Sequence, residues 1–309
     1  MADRPYLGIL LMLGFCVLAP LGDALAKLLG ADMSVGQLAF VRFAFQALLL
    51  VPLVVLWRLP LPLTPRLLRM TALRTVLHIA GIGMMFSALQ YLPLADAIAI
   101  AFVMPFIMLL LGKIFLQEEV GSHRLVACTV GFAGTLLVVQ PNFAEVGAPA
   151  LLPLGVAVAF SLFMLVTRTI AKDVDPIGMQ CLSGFMAIPI IGAALLLAPA
   201  VPTLALTPIP QSLFLLVIGL GLLGTLGHLL MTWSLRFAPS ATLAPMQYLE
   251  IPIGTAIGWL IFRDLPNGLA ALGICITVTA GLYIILRERA MSRRSPAAPQ
   301  PIPPAPPAV

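Results

Sequence analysis

The chain has 309 residues, 61% of them hydrophobic and only 9% charged, with a formal net charge of +5. Seventeen Lys and Arg and twelve Asp and Glu cannot coat a water-soluble surface of this mass, since average soluble chains carry about 25% charged residues. The chain is also too apolar for disorder, and its apolar runs are solid where a transmembrane barrel needs alternation.

It is therefore read as an all-α integral membrane protein. From Pro176 to Leu235 there is no charged residue at all. The basic residues sit between apolar runs, where they report orientation, so no nucleic-acid partner is expected. Cys16, Cys128, Cys181 and Cys275 each fall inside an apolar run and form no CxxC pair, which implies neither a disulfide framework nor a metal site, and no cofactor. The first apolar run is long enough to span and is followed by no small-residue cleavage site, so it is not read as a cleavable signal.

Ten spans are expected, in chain order Leu7–Leu29, Val35–Trp57, Thr71–Leu92, Ala95–Leu116, Arg124–Val139, Ala148–Thr167, Ile177–Leu197, Ser212–Trp233, Ala241–Phe262 and Pro266–Leu286. Pro93 separates the third from the fourth as a tight hairpin. Prolines at 199, 202, 208 and 210 mark a loop over Ala198–Gln211. Residues 288–309 are expected to be a disordered, proline-rich cytoplasmic tail. Ten spans put both termini on one side. With that side cytoplasmic, the inner segments hold Arg4, Arg58, Arg66, Arg69, Arg74, Lys113, Arg124, Arg168, Lys172, Arg236 and the four arginines from Arg287 to Arg294. The outer loops hold only Arg263. This asymmetry predicts N-in, C-in insertion in a cell inner membrane.

A shift of 147 residues aligns Thr71–Val139 with Ile218–Leu286 without a gap. Pro105 falls on Pro252, Phe115 on Phe262, Gly121 on Gly268, Cys128 on Cys275 and Gly134 on Gly281. The chain thus reads as two five-helix halves, residues 1–140 and 148–287. Five is odd, so the halves are expected to be inverted repeats. In secondary transporters such halves hold the substrate between them near the midplane and alternate access by rocking.

The run DALAKLLGADMSVGQLAFVRF, with Lys27, Arg42 and Phe43, is followed by MPFIMLLLGKIFLQEE and GFAG, and then by EIPIGTAIGWLIFRDL and TVTAG. This pattern resembles the EamA branch of the drug/metabolite transporter superfamily over roughly residues 7 to 287. A tryptophan usual early in span one is absent, with Phe15 nearby, and Asp264 stands where glutamate is usual. The resemblance implies ten helices around a cavity lined by both halves. It also implies a small-molecule metabolite as substrate: members carry amino acids, other metabolites, S-adenosylmethionine or drugs.

Ionisable groups inside a membrane ask for a partner or a role. Glu250 lies deep in span nine beside Gln247, Tyr248 and Pro252, and is read as a cavity carboxylate for a substrate ammonium or a coupling proton. The alternative is a protonated structural glutamate. Asp23 and Lys27 share a helix face, and Asp23 and Arg42 lie at similar depth. They read as an interhelical ion pair, or else Arg42 or Lys27 anchors a substrate carboxylate. His78 and His228 are packing residues or a proton relay. Asp96 is a gate or an interfacial residue, and Pro105 and Pro252 are hinges facing the cavity. The function expected is secondary transport of small metabolites, first amino acid export, with S-adenosylmethionine uptake or exchange as the alternative and multidrug efflux behind it. An intramembrane enzyme would need a catalytic constellation, and none is placed. The assembly is expected to be a monomer or homodimer in contact with lipid.

Overall fold

The computed structural model describes residues 4–61, 63–118, 120–139, 147–263 and 268–294. It is all-helical, with no strand among the described residues. In chain order the helices are α1 (Pro5–Leu29), α2 (Val35–Leu56), α3 (Pro65–Leu89), α4 (Leu94–Ala101), α5 (Met104–Phe115), α6 (Ser122–Val139), α7 (Leu152–Ile170), α8 (Pro176–Leu197), α9 (Phe214–Phe237), α10 (Ser240–Gln247), α11 (Glu250–Phe262) and α12 (Gly268–Arg294). Among the described residues, seven helical stretches are long and apolar enough to cross a membrane; α4 with α5 counts as one of them. The ninth expected span is divided between α10 and α11, so α11 on its own is shorter.

Local chemistry sets the ends. Ser34 caps α2 by accepting from the Gln37 amide at 3.2 Å, and Thr64 caps α3 through the Leu67 amide at 3.3 Å. Asp175 caps α8 through the Ile177 amide at 2.9 Å. Proline follows two of these caps, at Pro65 and Pro176, where its missing N–H costs nothing. The third element therefore starts at Pro65, six residues before the expected Thr71. α12 runs on to Arg294, so residues 288–294 are helical and do not belong to a disordered tail. The rest of that tail, the segment 140–146 and Asp264 lie outside the described residues.

Two expected spans are each broken. The fourth stops at Ala101 and restarts at Met104; the ninth stops at Gln247 and restarts at Glu250. Each break falls just before a proline. Pro105 cannot donate to the Ala101 carbonyl, nor Pro252 to the Tyr248 carbonyl. The turns ahead tighten instead: Phe102 N–H reaches Ala99 O at 3.1 Å, and Leu249 N–H reaches Met246 O at 3.1 Å.

Packing pairs helices from opposite ends of the sequence. α1 lies along α9, α3 along α7, α2 along α8 and α6 along α12. Each pair is antiparallel. Arg4 N–H donates to Phe237 O at 2.7 Å, while Leu25, at the other end of α1, abuts Gly219. Gly36 meets Leu195 and Ala47 meets Gly184 along α2 and α8. A Cβ on Gly184 would sit 3.1 Å from the Ala47 nitrogen, so only glycine lets these backbones approach this closely.

Candidate substrate cavity

Where α1, α2, α3, α4, α7, α9 and α11 converge they leave a partly open central cavity of about 80 Å³. Its wall is mostly apolar: aliphatic side chains and glycines alternate with four phenylalanines, Phe15, Phe86, Phe102 and Phe160, and the thioethers of Met85, Met104 and Met164. Four of the ionisable residues anticipated from sequence share it: Asp23, Arg42, His228 and Glu250. Phe15 does too, its ring edge-on to His228 with centroids 5.6 Å apart.

Glu250 is the first residue of α11, so the break ahead of Pro252 places it at a half-helix N-terminus, where a negative charge is favoured. It is 7% exposed, and its Oε1 has no hydrogen-bond partner. The Cys16 thiol lies within hydrogen-bonding reach and Asp23 within electrostatic range. The helix break thus turns a residue of a continuous apolar span into a cavity wall group. Neither proline itself lines the cavity; Phe102 and Glu250, beside the two breaks, do.

The expected Asp23–Arg42 ion pair is absent: neither a hydrogen bond nor an ion pair joins them among the described residues. Arg42 turns to the histidines. Its Nη1 is 3.3 Å from His78 Nε2, and its Nη2 is 2.8 Å from His228 Nδ1 and 3.4 Å from Gly224 O. The two imidazoles stack with centroids 4.3 Å apart. A span-two arginine on a span-three and a span-eight histidine is a pairing that no spacing in the chain announces. Gly224 makes it possible, since a Cβ there would lie 2.7 Å from Arg42 Nε.

Other anticipated residues lie elsewhere. Tyr248 is fully buried and turned toward α6, its hydroxyl donating to Cys128 O at 3.0 Å. Gln247 is buried against the sulfurs of Met164 and Met12, at 3.1 and 3.9 Å. Lys27 donates to Leu92 O at 2.6 Å and sits over the Phe262 ring. Asp96 is in the first turn of α4. None of these four lines the cavity.

Arg74 was missed. Counted from sequence as a cytoplasmic residue, it is 0% exposed. Its guanidinium donates to Thr167, Ser183 and Thr232 hydroxyls at 2.8, 2.6 and 3.4 Å and lies over Phe163 at 4.5 Å. Gln180 donates to the same Thr232, and Gln46 donates to Gln180 O at 2.7 Å. On α3, Arg74 is one turn beyond His78; on α9, Thr232 is one turn beyond His228. This polar layer lies one helical turn from the histidine pair and does not itself line the cavity. Further out, Arg168 pairs with Glu118 at 3.4 Å, and Arg236 with Asp175 at 3.8 Å.

The chain is 31% identical to a riboflavin transporter of Rhizobium johnstonii over 222 residues, 72% of this chain and 71% of that one. It is 28% identical to an S-adenosylmethionine uptake transporter of Rickettsia bellii over 273 residues, 88% of this chain and 91% of that one. A riboflavin transporter of Vibrio cholerae is 28% identical, covering 72% and 73%. One solved crystal structure of a protein superposes with a TM-score of 0.68 at 19% identity, over 94% of this chain and 98% of that one, which shows a shared fold. The EamA-like transporter family profile matches residues 6–140 and again 148–287. A multi-pass, apolar helical chain with a central cavity, matched twice by that profile, belongs to the EamA-like transporter family.

Proposed function

We propose that this protein is a secondary carrier of a small metabolite built on a flat nitrogen heterocycle, with a cation-bearing, S-adenosylmethionine-like molecule as the first candidate. One observation carries the reading: an apolar wall bearing aromatic rings and thioethers, into which two carboxyls, Asp23 and Glu250, are set. Flat rings are held by offset or edge-on aromatic contacts and by sulfur, and a cation is held by carboxylates. Riboflavin is the second reading, favoured by the relatives that carry its name; its ring suits the same wall, and its hydroxyls can donate to the carboxyls. Amino acid export gains no support from these relatives.

The carrier is proposed to cross a cell inner membrane ten times, with α4 plus α5 and α10 plus α11 each forming one broken crossing. The two breaks lie 146 residues apart, the prolines behind them 147, and α1 on α9 is mirrored by α7 on α3, as inverted halves require. In that orientation the Arg74 layer closes the cytoplasmic side, and alternating access requires it to part. Reporter fusions after Arg69, Lys172 and Arg294 are expected to read cytoplasm, and fusions within Ala198–Gln211 to read outside. One reversed loop breaks the ten-span arrangement.

The substrate is tested by uptake into proteoliposomes of labelled S-adenosylmethionine, riboflavin and phenylalanine. Saturable uptake of one ring-bearing compound, blocked by its own unlabelled form and not by phenylalanine, is the expected result. Transport of phenylalanine alone would return the function to amino acids.

A further inference from the structure

We propose that Arg42, held by His78 and His228, is a binding subsite for a carboxylate on the transported metabolite. The inference rests on the cavity being the substrate site and adds which group of the substrate binds at this end.

Arg42 is 3% exposed and carries only donors. At 2.8 Å from a guanidinium nitrogen, His228 Nδ1 must offer its lone pair, so its contact with Gly224 O at 3.2 Å is not a hydrogen bond. The same holds for His78 Nε2 at 3.3 Å. Both rings are therefore neutral, with their protons on His78 Nδ1 and His228 Nε2. These two nitrogens have no hydrogen-bond partner among the described residues.

The arrangement orients a buried positive charge without neutralising it. Had a carboxylate side chain stood at position 78 or 228, the guanidinium would be satisfied and closed to ligand. Two neutral imidazoles fix its direction without offsetting its charge; Asp23 on the same cavity wall lies within electrostatic range but makes no hydrogen bond to it. Phe15 and Phe160 stand against His228 and exclude water, which strengthens any charge contact made there. Arg42 and His228 both border the cavity, so an incoming carboxylate meets a planar fork of donors beside an imidazole whose N–H is unpartnered. Arginine's fork matches a carboxylate in a way that a point charge does not. Asp23 and Glu250, on the same cavity wall, remain for the substrate's cation. The cavity is thus built with poles of both signs and selects a molecule with both.

The test uses the full-length protein in nanodiscs and two probes that differ only in this group: S-adenosylmethionine and its decarboxylated analogue, with riboflavin as a ring without a carboxylate. Affinity is read by calorimetry. Wild type is expected to bind S-adenosylmethionine at least about tenfold more tightly than the decarboxylated form, a difference of ~1.4 kcal/mol. Arg42→Gln is expected to remove that difference by weakening only the carboxylate-bearing probe, and Arg42→Lys to restore part of it. Equal affinity of wild type for both forms, tighter binding of riboflavin than of S-adenosylmethionine, or equal weakening of both forms by Arg42→Gln overturns the subsite while leaving a ring-binding cavity intact. Should Arg42→Gln fail to fold, the wild-type comparison decides by itself. Binding of none of the three probes overturns both the subsite and the ring-binding reading.

Discussion

Glu250→Gln is expected to abolish concentrative uptake while leaving expression and thermal stability nearly unchanged. The side chain keeps its shape and loses only its titration. Glu250 sits where helix α11 begins, on the cavity wall, with one oxygen unpartnered and Asp23 within electrostatic range. A carboxylate in that position holds either a proton or the cation of a substrate, since one site cannot hold both at once. Exchange of the two is what couples a proton gradient to uphill movement. Initial uptake under an imposed pH gradient should fall at least about tenfold, equivalent to ~1.4 kcal/mol. Glu250→Asp, one methylene shorter, should retain a fraction. Normal, pH-dependent uptake by Glu250→Gln would make the residue structural and move the coupling role to Asp23 and the two histidines.

Much of the scaffold was readable from the chain because a bilayer leaves few choices. Every backbone group must be satisfied internally, so solid apolar runs are helices and prolines mark where they fail. Asp23, Arg42, His228 and Glu250 stood out because an ionisable group in an apolar run is costly. What those residues touch was not readable. Arg42 meets histidines from α3 and α9, and Glu250 finds Asp23 from α1; these neighbours are set by which helices pack, not by spacing along one of them. Arg74 shows the same limit from the other side. It follows Arg66 and Arg69, so it was grouped with the cytoplasmic arginines, yet its three hydroxyl partners come from α7, α8 and α9. The break ahead of Pro252 separates Tyr248 from Glu250: Tyr248 turns to the Cys128 carbonyl on α6 while Glu250 opens α11 at the cavity wall.

Pro105→Ala and Pro252→Ala are expected to slow transport while leaving the protein as stable as wild type. Each substitution restores a backbone donor, to the Ala101 and the Tyr248 carbonyl respectively. Both prolines lie in the first turn of the restarted helices, where proline is tolerated, so melting temperature should hold. The cost falls on movement. The breaks at 102–103 and 248–249 allow α4 to turn against α5 and α10 against α11, and they are where Phe102 and Glu250 reach the cavity. Healing the second break re-aims Glu250 along a continuous helix, so Pro252→Ala should lose more than Pro105→Ala. A several-fold drop in turnover is expected for Pro252→Ala, with a smaller one for Pro105→Ala and the largest in the double variant, since hinge and gating steps commonly limit such cycles. The measurement is single-turnover exchange in proteoliposomes beside a thermal melt of the same preparation. Slower exchange with an unchanged melting temperature identifies the breaks as moving parts. Full-rate exchange in the double variant would show that the helices cycle as rigid rods and that the prolines only shape the cavity.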